Sequence, residues 1–181
     1  MTTDGALGRR DTETLAHKQA QFEQLLHAHR GILFKVAHTF TRNEDDRRDL
    51  IQDIAAQVWR AFPTFDERRK FSTWMYRIAL NVAISFRRSA ASRQRHVDTI
   101  DPAAFADMPG SGSTESDDRL RELGRLVDRL DDFHRALVVL YLEGYDHREI
   151  GEILGMTDIN VATRLSRLKT RLRNEGPHGT R

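Results

Sequence analysis

The chain has 181 residues, of which 39% are hydrophobic and 31% charged, and its formal net charge is only +2. It contains no cysteine, which excludes disulfides, thiol nucleophiles and cysteine-based zinc sites. With no apolar run of about eighteen residues and no signal-peptide centre near the N-terminus, the composition predicts a soluble cytoplasmic protein without membrane insertion.

Residues 1–20 have no clear apolar face and are expected to form a flexible N-terminus. The next stretch, 21–96, reads as helices throughout. Phe22, Leu25, Leu26, Ile32, Leu33, Val36 and Phe40 mark one amphipathic helix. Leu50, Ile51, Ile54, Val58, Trp59 and Phe62 mark a second, ended by Pro63. A third follows the loop FDERRK, with Phe71, Trp74, Met75, Ile78, Val82 and Phe86 on its apolar side. No strand-length alternation and no internal repeat is present, so the expected fold class is all-α.

Charge is strongly segregated along this part of the chain. The second helix presents Glu44, Asp45, Asp46, Asp49, Gln52, Asp53 and Gln57, an acidic and polar face that opposes DNA and suits either solvent or a docked protein. From Arg68 to Val97 there are eight basic residues and no acidic one. Phe71, Trp74 and Tyr76 are interleaved with these cations and with Ser72, Thr73, Arg77 and Asn81, a mixture that could stack on unpaired bases while following a phosphate backbone. Two roles stay open for Trp74, core anchor or stacking platform, and Ser72 and Thr73 suit a helix cap as well as a nucleic-acid contact.

The sign inverts over 97–117, where a Pro-, Gly- and Ser-containing acidic segment reads as a flexible linker. The second unit, 118–174, opens with Leu120, Leu123, Leu126, Val127 and Leu130 on one helix. Asp131-Asp132 can cap the next helix, and Phe133, Leu137, Leu140 and Tyr141 carry the core to Gly144. Residues 175–181 are expected to be a flexible tail. Each unit has roughly 55 to 75 residues, a size at which burial is marginal, so tight helix packing is required.

The segment YDHREIGEILGMTDINVATRLSRLKTRLR, Tyr145 to Arg173, has the layout of a helix-turn-helix. Asp146 and Glu149 form a capping-box pair, Ile150, Ile153 and Leu154 make one apolar stripe, and Gly155 is placed for a left-handed C-cap. Thr157-Asp158 can cap a second helix whose Val161, Leu165, Leu168 and Leu172 face inward. Arg164, Arg167, Lys169, Arg171 and Arg173 are the only charges between that cap and Arg173, so no acidic partner offsets them along this stretch. Gly151 costs the first helix about 1 kcal/mol relative to Ala. A close approach of the second helix is the expected reason for it.

Taken together these segments resemble a bacterial RNA polymerase sigma factor of the short, two-domain extracytoplasmic-function (ECF) group. The resemblance rests on DRRDLIQDIAAQVWRAF, similar to that family's core-polymerase-binding helix, on FSTWMYRIALNVAISFRR, similar to its promoter-melting helix, and on the helix-turn-helix. It covers roughly Phe22 to Arg88 and Leu126 to Arg173, and it implies sigma region 2 over 21–96 and region 4 over 118–174. It further implies that Asp49, Leu50, Gln52, Asp53 and Gln57 dock on core RNA polymerase. Phe71, Ser72, Thr73, Trp74, Arg77, Asn81, Arg87 and Arg88 would engage the −10 element of promoter DNA. Thr163, Ser166 and Arg167 would face bases of the −35 element, with Asn160, Arg164 and Lys169 as phosphate contacts or helix supports.

Where the family commonly shows Gly-Thr and then a basic residue, this chain has Ile159, Asn160 and Ala162, which implies an altered −35 preference. An anti-sigma factor that covers the basic and docking faces is a common arrangement in the family. The acidic linker either mimics nucleic-acid charge or is a plain tether. The resemblance implies no enzyme activity and no cofactor or metal.

Two other readings compete. A stand-alone helix-turn-helix regulator would need a dimer to read two half-sites, and no dimer helix is evident beyond the two cores. A helical enzyme or metal protein would have to use the eight histidines, but no HExxH, ExxH pair, P-loop or nucleophile elbow occurs.

Overall fold

The structure is a computed structural model that describes residues 4–95, 127 and 129–175, with side-chain surroundings for 17–90, 127 and 129–173. All regular structure among the described residues is helical. The order is α1 (Asp4–Phe40), α2 (Glu44–Ala61), a 3₁₀ turn (Phe62–Thr64), α3 (Phe71–Arg95), α4 (Asp132–Leu142), α5 (His147–Leu154) and α6 (Asp158–Glu175). The chain divides into two compact units, Met1–Val82 and Ala83–Arg181, with the dividing point inside α3. The expected linker 97–117, most of the helix expected to contain Leu120, Leu123 and Leu126, and the expected tail after Glu175 lie outside the described residues.

In the first unit the two long helices α1 and α2 pack on each other. Val36, Leu50, Ile54 and Val58 are fully buried between them, and Met75, Tyr76 and Leu80 of α3 complete the core. Leu50, Ile54 and Val58 recur every four residues, which sets the inward stripe of α2. Asn43 caps that helix by accepting from the Asp46 amide at 2.7 Å, and Glu44, Asp45 and Asp46 in the first turn suit the positive end of the helix dipole. At the other end Pro63 stops the α-helix and the chain tightens into the 3₁₀ turn.

The segment 1–20 has no clear apolar face, yet α1 begins at Asp4. Periodicity of apolar residues is silent about a helix that lacks an apolar face, whereas Ala, Leu, Arg, Glu, Lys and Gln in this stretch all favour helix by propensity.

In the second unit α5 and α6 pack on each other and on α4. Leu137, Leu140, Ile150 and Val161 are fully buried. Leu130, Val138 and Leu168 form a cluster joined by Val127 and Leu172, so the residues just before α4 pack with α4 and α6. The three predicted caps form: Asp131 accepts from the His134 amide at 2.9 Å, Asp146 and Glu149 close the reciprocal capping box, and Thr157 accepts from the Asn160 amide at 3.3 Å. Gly155 has φ +71°, the left-handed conformation that ends α5 without a Cβ penalty.

Gly151 is required by a close approach, but not by a side of the second helix. A Cβ there would stand 2.6 Å from the Met156 carbonyl oxygen, in the turn itself. The amides of Gly155 and Met156 both donate to the Gly151 carbonyl, which holds the turn against α5. The tight fit is therefore backbone against backbone.

Candidate nucleic-acid interface

On α2, Asp49, Gln52, Asp53 and Gln57 are all exposed and share one face by their spacing. Glu44 and Asp45 pair with Arg47 and Arg48 inside the helix. Among the described residues Asp49 and Asp53 have no such partner, so their charges are directed to solvent. Leu50 does not belong to this face. It is fully buried, so its side chain fills the core and it supports the face by holding α2 in place.

The start of α3 is built from rings. Phe62, Phe65, Phe71 and Trp74 form a cluster, with Trp74 5.1 Å from Phe65, 5.3 Å from Phe71 and 6.5 Å from Phe62. Phe71 sits inside it and is only 6% exposed, which makes it an anchor of the cluster. Trp74 is half-buried, with neighbouring rings against it and part of its indole open to solvent. Tyr76 is buried as well. Ser72 and Thr73 fall in the first turn of α3, after its first residue, so neither occupies the cap position.

Beyond that cluster, Arg77, Asn81 and Arg88 are exposed and project from the same side of α3 as Trp74 by their spacing, while Arg87 is half-buried. The loop cations differ from these. Arg68 holds Asp66 in a two-pronged pair with contacts of 2.9 Å. That hydrogen bond, aided by the Arg68 amide and the charge of Arg69, keeps the Asp66 carboxyl below its ordinary range. Much of the positive charge of Arg68 is thus matched locally.

On α6, Asn160, Thr163, Arg164, Ser166, Arg167 and Lys169 are all exposed. His134, Asn160, Thr163, Arg164 and Arg167 line an open concavity of about 440 Å³ between the start of α4 and the outer face of α6. The cations are not equivalent. The Arg164 guanidinium lies 5.0 Å from the centre of the Phe133 ring, and Lys169 donates to the Tyr141 hydroxyl at 2.8 Å. Both therefore support the packing of α6 on α4. Arg167 has no such partner among the described residues and is the cation left to meet a ligand.

Phe133, His134 and Tyr141 were missed as site residues from sequence. The His134 ring donates its Nδ1–H to the Asp131 carboxylate at 2.6 Å, at the lip of the concavity. The Tyr141 ring, one residue before the end of α4, has no periodic signal that would mark it as the seat of a lysine in α6. No helix among the described residues is long and apolar enough to cross a membrane, and among them no group of three or more His, Asp or Glu is placed to hold a metal ion.

Residues 25–93 match the model of sigma-70 region 2 and residues 120–172 that of sigma-70 region 4. The chain is 30% identical over 172 residues to RNA polymerase sigma factor NccH of Alcaligenes xylosoxydans xylosoxydans, covering 88% of this chain and 91% of NccH. It is 26% identical over 168 residues to ECF RNA polymerase sigma factor SigW of Bacillus subtilis, covering 87% of this chain and 89% of SigW. The sigma factor RpoE of Bartonella quintana, solved with the anti-sigma factor NepR, shares the fold with a TM-score of 0.69 at 22% identity, over 85% of this chain and 95% of that one. With both regions matched in order, and NccH aligned over nearly its whole length, the chain belongs to the sigma-70 family of RNA polymerase sigma factors, in its ECF group.

Proposed function

We propose that this chain binds core RNA polymerase and directs promoter-specific initiation, with its three exposed polar faces dividing the work. The observation that carries this reading is that one chain holds an acidic face on α2, whose Asp49 and Asp53 have no ion-pair partner among the described residues, and cationic outer faces on α3 and α6. Asp49, Gln52, Asp53 and Gln57 dock on the polymerase. Trp74, Arg77, Asn81 and Arg88, with Ser72, Thr73 and Arg87 beside them, hold the melted −10 element, the indole offering a stacking edge and the cations following the phosphates. Thr163, Ser166 and Arg167 read the −35 element, and Asn160 contacts its backbone.

The chain acts in the cytoplasm, where polymerase and promoters are, and supplies no chemical step of its own. Its division of charge also suits a protein antagonist. An anti-sigma protein that covers the acidic and cationic faces would hold it inactive; the Bartonella quintana factor is itself found in complex with an anti-sigma factor, NepR.

Transcription in vitro with the purified chain, sigma-free core polymerase and genomic DNA fragments tests the reading. Discrete transcripts that need both proteins are expected, and their aligned start sites define the promoter. Absence of transcripts together with absence of co-elution with core would leave a stand-alone DNA-binding regulator.

A further inference from the structure

The outer face of α6 does not stop at Thr163. Ile159, Thr163, Ser166 and Arg167 are spaced i, i+4, i+7 and i+8, so they form one face, and Ile159 is its N-terminal member. Ile159 is 72% exposed, more than any other large hydrophobic residue found at the surface of the described part of the chain. Its backbone is fixed from both sides: its amide donates to the Asp158 carboxylate at 2.8 Å, and its carbonyl accepts from the Thr163 hydroxyl at 2.9 Å. A β-branched side chain in a helix is also held to one main rotamer. The result is a rigid apolar knob at the leading end of a polar and cationic face.

A side chain of this kind has no hydrogen bond to offer, and a phosphate gives it nothing. When a helix enters the major groove, the residues near its N-terminus reach the base edges. The one apolar feature on those edges is the C5 methyl of thymine. We infer that Ile159 is a specificity residue that packs on a thymine methyl in the −35 element. The inference rests on the proposed reading of promoter DNA by α6 and adds to it the chemistry of one position.

Replacing thymine by deoxyuridine removes the methyl and leaves the hydrogen-bonding edge intact, so it isolates this contact. Holoenzyme assembled from core polymerase and the full chain would be titrated against its mapped promoter with each −35 thymine changed in turn to deoxyuridine. The expected result is a several-fold loss of affinity at one thymine for the unaltered chain and no loss at that thymine for Ile159→Ala. Arg167→Ala should keep the methyl dependence while weakening binding. Because Ile159 is exposed, Ile159→Ala should unfold at the same temperature as the unaltered chain. Indifference of the unaltered holoenzyme to every deoxyuridine, a −35 element without thymine, or full methyl dependence in Ile159→Ala would each overturn the inference. If scrambling the whole −35 element leaves affinity unchanged, the reading of DNA by α6 itself has failed.

Discussion

The Lys169 ammonium stands 2.8 Å from the Tyr141 hydroxyl oxygen and 4.1 Å from the centre of the same ring, joining α6 to α4. A hydrogen bond and a cation–π contact on one partner make Lys169 a structural cation. Lys169→Met, which keeps most of the stem, should therefore lower the stability of the full chain by about 0.5–1 kcal/mol, the range for an exposed contact of this kind. Denaturant titration measures this. The same variant should leave the salt dependence of promoter binding by holoenzyme unchanged. Loss of a phosphate contact would instead reduce the salt slope by about one.

Gly151 presents a contest between two effects of known sign. Gly151→Ala gains about 1 kcal/mol of helix propensity. The added Cβ meets the Met156 carbonyl oxygen at 2.6 Å, and that atom belongs to a turn pinned by two hydrogen bonds to the Gly151 carbonyl, so it cannot swing aside as a side chain would. Overpacking of this order costs about 1–3 kcal/mol. Net destabilisation is expected, visible as a lower thermal midpoint of the full chain. A raised midpoint would mean that the turn relaxes at little cost.

These two cases also mark how far the sequence was legible. Local signals served well: the Asp146–Glu149 capping box, the Asp131 and Thr157 caps and the left-handed Gly155 all formed, because each depends on residues within three or four positions. The need for a small residue at 151 was legible, but its partner was not, since a turn carbonyl carries no side-chain pattern. Leu50 and Phe71 were placed on contact surfaces because a motif names a stretch of helix and does not separate its faces. Their burial depends on α1 and on the Phe62–Phe65 rings, which no local rule supplies. The Tyr141–Lys169 pair spans 28 positions and two helices, beyond the reach of any periodicity.

Asp131 makes acid stability partly predictable. Partial burial pushes its carboxyl up, but the His134 amide, the His134 ring and its charge, and the Phe133 amide together outweigh that and hold it below its ordinary value. A group depressed in the folded state contributes stability above its unfolded pKa, about 3.9, and loses it as pH falls through the lower folded value. Asp131→Asn retains an oxygen to cap His134 and removes the charge. The variant should be less stable than the unaltered chain near neutrality, by under about 1 kcal/mol because water screens a largely exposed pair. The gap should close as the pH drops toward the folded pKa. Unfolding free energies of both proteins across that acid range provide the comparison, and a gap that stays constant would show that the charge contributes nothing.

The acidic face of α2 gives the most direct test of docking. Asp49 and Asp53 are exposed, share one face and have no ion-pair partner among the described residues, so reversing both charges breaks no internal contact. Asp49→Arg with Asp53→Arg should leave the unfolding free energy within about 0.5 kcal/mol of the unaltered chain, as is usual for surface changes. Opposed like charges at an interface cost several kcal/mol, so the affinity for core polymerase should fall at least about tenfold, a change worth about 1.4 kcal/mol. Leu50→Ala behaves in the opposite way: a fully buried leucine leaves a cavity worth about 2–5 kcal/mol in stability, and any effect on docking follows from that loss. Unfolding and polymerase binding measured on the same preparations separate the two residues, one acting at the surface and the other through the core. Unchanged polymerase affinity in the charge-reversed chain would remove α2 from the docking surface.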